Sequence, residues 1–249
     1  RIRGFAYYSG TGWGDDPYSD PRPQGTNQNG DGFLLYPPVA GQIVDLAAGS
    51  YGIGALTFNA ADDYTLQTGT LTFGGTVTQS GAGAVKFASD CNVDLGGATR
   101  SFSGAGSGIV RFDGVISGVG AGLNITGSSY AVAGLNTFDG GVTVSSGNFK
   151  VVQPGAGNLT YQTNADGAGG GGVTIDGGRV ELISEDDPAL ASILVKRTTI
   201  FGPSGGTLVY SYDAIGVAIA QSANASFAGR LGSDGRTEGV SATAGFATR

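Results

Sequence analysis

Histidine and methionine are absent from the chain, and cysteine and tryptophan each occur once, as Cys91 and Trp13. Without histidine the chain lacks the commonest general base and the commonest metal ligand. A single cysteine excludes a disulfide within the chain, and its strand-like surroundings predict that Cys91 is a buried, unreactive thiol. Because residue 1 is not methionine, we interpret the chain as a piece of a longer precursor.

Charged residues are also scarce, with 13 basic and 20 acidic side chains among 249 residues and a net charge of −7. No basic run could neutralise a phosphate backbone, so we expect no nucleic-acid partner. No apolar run approaches the ~20 residues that a membrane helix requires, so we expect no membrane span in this chain. The low charge density and the scarcity of lysine fit a protein that works outside the cell.

Glycine is abundant instead, with 48 residues against a norm of about 7%. It does not recur at every third position, which excludes collagen. From about residue 43 it separates short strands in which apolar and polar residues alternate, such as Ala55–Phe58, Thr70–Phe73 and Ile109–Phe112. Such strands are too short for an ordinary sandwich and favour a solenoid, with glycine at the corners and ladders of Thr, Ser and Asn outside. Only Asp213–Phe227 has a helical periodicity.

Three regions are predicted. Residues 1–41 form an N-terminal β segment rich in aromatic residues and proline, with strands at Phe5–Tyr8 and Phe33–Tyr36 around a long turn-rich loop. Residues 42–212 form the solenoid repeats. Residues 213–249, rich in Ala, Gly and Ser, form a C-terminal cap or a linker. The predicted fold class is therefore all-β, a parallel β-helix with a short irregular N-terminal β segment.

Residues 50–185 resemble a known repeat. The segment Gly122–Phe149 (GLNITGSSYAVAGLNTFDGGVTVSSGNF) is similar to the autotransporter-associated β-strand repeat in both order and spacing. Gly69–Gly74 and Gly171–Leu182 resemble the pieces that flank it. The resemblance implies a right-handed parallel β-helix on the bacterial cell surface or in secreted polymers. It implies no chemistry, and it predicts an extracellular or cell-surface location.

Residues 1–38 resemble a different family. Arg3–Tyr8, Gly12–Pro21 and Asn29–Pro37 are similar to the last strands of a bacterial glycoside-hydrolase-like barrel family. In that family an aromatic strand precedes a DPW-DP loop and a GDG-LLYPG strand. The resemblance implies that the catalytic residues of such a barrel lie upstream of Arg1. No catalytic residue is therefore predicted in this chain, and we expect it not to be an enzyme.

Two clusters are candidate binding sites. Trp13 and Tyr18 lie beside three carboxylates and could form a sugar-contact site, because aromatic faces stack on sugar rings; local packing is the alternative. Asn29 and Asp31 are the candidate Ca²⁺ ligands, with a hairpin turn as the alternative, and no other cofactor is expected. The acidic pair Asp62–Asp63 is interpreted as a solvated turn. The carboxylates of the sugar-contact candidate are Asp15, Asp16 and Asp20.

Two functions remain open. The first is a non-catalytic structural, adhesive or filament-forming module of a secreted or cell-surface bacterial protein. Such a module would self-associate end to end, because open solenoid ends are unpaired sheet edges. The alternative is a non-catalytic glycan-binding tail of a carbohydrate-active enzyme, which would have a polysaccharide partner.

Overall fold

All the regular secondary structure in the described part of the chain is β-strand. The computed structural model describes residues 5–7, 24–27, 32–35, 43–59, 61–153, 160–161, 171–184, 192–212, 215–221, 226–232 and 237–242. No helix within these ranges is long and apolar enough to cross a membrane. The strands are β1 (Phe5–Tyr7), β2 (Gln24–Asn27), β3 (Gly32–Leu35), β4 (Ile43–Phe58), β5 (Tyr64–Phe73), β6 (Val77–Gln79), β7 (Val85–Phe87), β8 (Cys91–Asp94), β9 (Arg100–Ser103), β10 (Ile109–Phe112), β11 (Ile116–Ser117), β12 (Leu123–Val132), β13 (Val142–Gln153), β14 (Thr160–Tyr161), β15 (Val173–Ile175), β16 (Arg179–Ser184), β17 (Ser192–Phe201), β18 (Gly206–Tyr212), β19 (Ile215–Gln221), β20 (Ser226–Gly232) and β21 (Thr237–Ala242).

From β4 to β18 the strands pair in parallel with strands one coil further along the chain, which makes this region a β-solenoid. Each coil contributes strand segments to separate walls. The first wall contains β7, β10, β16, β18 and parts of β4, β5, β12 and β13. The second wall contains β8, β11 and the middle or end of β4 and β5. The third wall contains β6, β9, β15 and parts of β4, β12, β13 and β17.

Alternation along each strand sends apolar side chains inward in columns, because successive residues of a strand face opposite sides. Equivalent residues on successive coils stack about 4.8 Å apart, so each column is a continuous row of the core. Every member of the two columns below is at most 6% exposed. On the first wall the column is Tyr64, Val85, Val110, Tyr130, Phe149, Val180 and Leu208; on the third wall it is Leu56, Val77, Phe102, Ile125, Val144, Ile175 and Phe201.

Aromatic rings fill the space between the walls. Phe87 and Phe112 stack within the first wall with ring centroids 4.4 Å apart. Phe112 also stacks on Phe102 of the third wall at 5.6 Å, and Phe102 lies 5.1 Å from the ring of Tyr130. These contacts join opposite walls through one core, so the walls are a single packed unit.

The coils differ in length. The coil that runs from Leu123 to its partner Val142 is short, whereas the next one, from Val142 to its partner Val173, is much longer. The coil from Ile53 to its partner Phe73 is again short. The walls keep their register although the coils differ in length, so the difference lies in the segments that connect the wall strands.

Antiparallel strands flank the solenoid at both ends. At the N-terminal end β1 pairs with β3, β3 with β2, and β2 with β4. At the C-terminal end β19 pairs with β18, while β20 pairs with β17 and β21. The expectation that the solenoid ends are unpaired edges is therefore wrong for these strands. Self-association stays a prediction.

Two further expectations are corrected by the flanking strands. The N-terminal segment contains a strand, Gln24–Asn27, within the predicted loop. The stretch with helical periodicity holds β19 and the start of β20, so its described residues are strands that extend the sheet.

Candidate functional site

Both predicted binding clusters lie outside the described residues. These are the sugar-contact candidates Trp13, Asp15, Asp16, Tyr18 and Asp20, and the Ca²⁺ candidates Asn29 and Asp31. Both clusters therefore stay predictions. Within the described residues, no three His, Cys, Asp or Glu side chains come together as a metal site.

The predicted burial of Cys91 and the predicted exposed turn at Asp62 and Asp63 are confirmed, while the low reactivity of Cys91 stays a prediction. Cys91 is 1% exposed, and burial, together with the nearby charge of Asp90, raises the pKa of its thiol to about 12. Asp62 and Asp63 lie exposed in a bend before β5. The Asp63 carboxylate accepts a hydrogen bond from the backbone N–H of Ala84, which lies on the next coil, at 2.7 Å.

That contact is one of a set in which Asp and Asn side chains join successive coils. The Asn136 side chain accepts a hydrogen bond from the Ile116 N–H at 2.7 Å, and Asn92 accepts one from the Val115 N–H at 3.0 Å. Asp176 likewise accepts one from the Ser204 N–H at 2.7 Å. These oxygens satisfy backbone donors at the corners, where the sheet ladder is interrupted. Their role in the structure is to fasten one coil to the next.

The outer face of the third wall carries uncharged polar side chains in register. Thr57, Thr78 and Ser103 form one row, and the Thr78 and Ser103 hydroxyl oxygens are 3.2 Å apart. This is the predicted ladder of like polar side chains. The second row is Ser101, Asn124, Thr143 and Thr174.

The outer face of the first wall is charged. Lys86 lies between the buried residues Val85 and Phe87 and therefore points outward, and Arg111 occupies the matching position on the next coil. Beyond Arg111 the same row continues with Ala131, Lys150 and Glu181, and Arg179 lies on the same strand as Glu181 and the same outer face. We call Lys86, Arg111, Lys150 and Arg179 the cationic strip.

In each neighbouring pair of cations in the strip, both cations form ion pairs with the same carboxylate. Asp113 lies 2.9 Å from the Lys86 ammonium and 2.5 Å from Nε of Arg111. Glu181 lies 3.5 Å from the Lys150 ammonium and 3.7 Å from the Arg179 guanidinium. Like charges on adjacent strands repel each other, so these two carboxylates make the register possible. Each group of three therefore contains two cations and one carboxylate.

On this net acidic chain, the described positive charges are concentrated on the first wall, whereas most of the described acidic side chains lie elsewhere. Among the Lys and Arg whose side chains the structure describes, every residue except Arg100 belongs to the strip. The acids on that wall are Asp45, Asp113 and Glu181. The remaining acids with described side chains lie away from it, at corners and strand ends: Asp62, Asp63, Asp90, Asp94, Asp139 and Asp176.

The comparisons identify no relative. No protein-family model, curated protein or solved structure matches the chain. The resemblances to the autotransporter-associated repeat and to the barrel family therefore stay predictions. Among the surfaces of the described residues, the cationic strip is the most distinctive.

Proposed function

We propose that this chain is a non-catalytic structural and adhesive module of a secreted or cell-surface bacterial protein. One observation carries the proposal: in the described part of the chain, several Asn, Asp and Glu side chains are held in contacts with other coils. Asn92, Asn136 and Asp176 accept backbone N–H groups from neighbouring coils, and Asp113 and Glu181 are held in ion pairs. Such side chains build a rigid rod with long outer faces. The resemblance to the autotransporter-associated repeat supports the bacterial surface as its location.

Self-association is part of this proposal. Because antiparallel strands pair with the solenoid at both ends, the outermost flanking strands have open edges. Among the described strands, β1 pairs only with β3, and β21 pairs only with β20. An edge strand with one unpaired side is a template for a strand of another molecule. We expect intact copies to join at either end of the rod through these open strands, which offer a shorter edge than a bare solenoid end would.

Sedimentation velocity over a concentration series, with negative-stain microscopy of the same samples, tests the assembly. We expect dimers or filaments whose particles are joined at their ends. Monodisperse single particles at the highest concentration would contradict it.

Incubation with a panel of polysaccharides tests the absence of catalysis. We expect no new reducing ends, because the chain has no histidine and the acids named above are engaged in structural contacts. Turnover that disappears in Asp113→Asn or Glu181→Gln would show that the module is an enzyme. Turnover that disappears in Asp15→Asn, Asp16→Asn or Asp20→Asn would show the same.

The second candidate is a non-catalytic glycan-binding tail of a carbohydrate-active enzyme. The long polar faces of the first and third walls favour it, because a linear glycan can follow such a face over several coils. The resemblance of residues 1–38 to the end of a barrel adds support. The coding sequence upstream of Arg1 distinguishes the candidates: a barrel favours the enzyme tail, and further repeats favour the surface module.

A further inference from the structure

We propose that the cationic strip binds a linear acidic polysaccharide, bearing carboxylate or sulfate groups, that runs along the solenoid axis. This inference rests on the proposed adhesive function, because adhesion requires a ligand. It goes further by naming the surface and the chemical class of that ligand.

The pairing of strands on successive coils determines how far apart the cations of the strip lie. Lys86 and Arg111 lie on adjacent coils, and Lys150 and Arg179 also lie on adjacent coils, with the coil of Ala131 between the pairs. At about 4.8 Å per coil, the strip extends over about 19 Å. Its two ion-pair groups are centred about 14 Å apart. The strip therefore offers widely spaced cations on one outer face: Lys86, Arg111 and Lys150 in one row, and Arg179 in the adjacent row.

The most exposed cations of the strip are more exposed to solvent than its two carboxylates. The side chains of Asp113 and Glu181 are only 15% and 14% exposed, whereas those of Lys86 and Arg179 are 51% and 43% exposed. An approaching anion therefore meets the cations first. The carboxylates below hold the cationic groups in place, which lowers the conformational entropy that binding would otherwise cost.

Neutral polar groups lie beside the cations. Ser129 is on the coil that separates the two cation pairs, and Asn148 lies on the same strand and outer face as Lys150. The Asn148 amide donates to Glu181 at 3.2 Å. A hydroxyl both donates and accepts hydrogen bonds, so Ser129 matches the hydroxyl groups of a sugar between its acidic groups.

The dimensions and charge of the strip favour such a polymer over other macromolecules. A strip about 19 Å long and only one or two side chains wide covers far less area than the roughly 800 Å² per partner of a stable protein interface. Duplex DNA carries one charge per about 1.7 Å, far denser than the strip, and the chain's net charge of −7 opposes so strong a polyanion. A thin, hydroxyl-rich polysaccharide with sparse anionic groups matches both the small area and the low charge density of the strip.

The experiment compares three proteins on immobilised polysaccharides. The first is the intact chain, the second carries Lys86→Gln with Arg179→Gln, and the third carries Lys86→Arg with Arg179→Lys as the charge-conserving control. The probes are polygalacturonate, chondroitin sulfate and neutral dextran. The two substituted side chains are the most exposed of the strip, and circular dichroism with thermal unfolding verifies that each protein folds.

We expect the intact chain to bind at least one acidic probe at low salt and not dextran. The Gln variant should bind it at least about tenfold more weakly, because two charge-assisted contacts are lost. The charge-conserving variant should stay within about threefold of the intact chain. Raising NaCl to about 0.5 M should weaken binding by all proteins that bind, because salt screens exposed charges.

Three results would overturn the proposal: no binding to either acidic probe, equal binding by the Gln variant, or equal binding to dextran. Sedimentation velocity of the Gln variant tests whether the strip is instead an interface between copies of the chain. If it abolishes self-association and leaves polysaccharide binding intact, the strip is an interface between copies and the proposal is wrong. Hydrolysis of a bound probe would refute the non-catalytic function while leaving the binding site in place.

Discussion

Tyr130 shows how one residue holds opposite walls together. Its ring is fully buried on the first wall, while its hydroxyl reaches the backbone carbonyl oxygens of Val77, at 3.2 Å, and of Ser103, both on the third wall. Burial raises the pKa of this hydroxyl above its usual range, so it stays protonated and able to donate. A polar group is tolerated in this core because it has partners on two coils.

Replacing Tyr130 by Phe should destabilise the protein by about 1–3 kcal/mol, because the ring remains but two buried carbonyl oxygens lose their donor. Tyr51→Phe is the matched control. The Tyr51 hydroxyl donates to the carbonyl oxygen of Leu46 at 3.1 Å, in a half-buried position and within the same strand. Urea unfolding measures both variants. A loss for Tyr130→Phe no larger than that for Tyr51→Phe would show that the cross-core bonds contribute little.

Cys91 should be unreactive in the native protein. Its pKa of about 12 lies far above the ordinary value of about 8.5, so at pH 8 its thiolate fraction falls on the order of a thousandfold. Labelling with a thiol reagent should therefore be slow in buffer and fast in denaturant. The same shift predicts that stability decreases as pH rises from about 8.5 towards 12, because only the unfolded chain ionises readily there. Fast native labelling at pH 8 would contradict the burial.

At the scale of the element, the corners depend on close backbone stacking. Gly134 lies directly over Gly114 on the preceding coil, and a Cβ at Gly134 would collide with the Gly114 carbonyl oxygen. We expect Gly134→Ala to destabilise the solenoid by about 1–3 kcal/mol through this overlap. Gly120 is the contrasting corner, with a φ of +70° and open space around it.

Gly120→Asn is therefore the control, because asparagine tolerates a positive φ and would meet nothing there. We expect it to change stability by less than about 1 kcal/mol. Thermal unfolding of both variants gives the comparison. Equal losses of stability in the two variants would mean that the coils move apart at Gly134 and accommodate the added Cβ.

The strands of the solenoid could be predicted because each buries one face. Ala55–Phe58, Thr70–Phe73 and Ile109–Phe112 alternate visibly and lie within β4, β5 and β10. The strand Gln24–Asn27 has no such alternation, because it is a flanking strand defined by its partners in the sheet. In Asp213–Phe227, pairing with strands of the last coil prevailed over the helical periodicity.

The cationic strip could not be predicted from the sequence, and unequal coil lengths are the reason. One coil separates Lys86 from Arg111, and one coil also separates Ala131 from Lys150, but the first of these coils is the longer. The coil from Lys150 to Glu181 is longer still. No fixed period brings these residues together. Their alignment becomes visible only once the register of every intervening coil is known.

At the scale of the whole molecule, the flanking strands determine which edges are open. Deleting residues 213–249 removes β19, β20 and β21, and uncovers the edges of β17 and β18. We expect the shortened chain to associate end to end at lower concentrations than the intact chain, because backbone groups and the apolar column ending at Leu208 become accessible. Sedimentation velocity of both proteins at matched concentrations measures this. Identical profiles would mean that these strands do not limit assembly.

The parallel pairings also determine how the chain can fold from one end to the other. Between β4 and β18 each paired residue has its partner on an adjacent coil, however long the solenoid becomes. A newly exposed coil therefore needs only the preceding one as a template, so structure can grow stepwise from a first nucleus. A chain threaded across a membrane from one end could lock each coil as it emerges. The stepwise release of folding free energy would then hinder backward slippage.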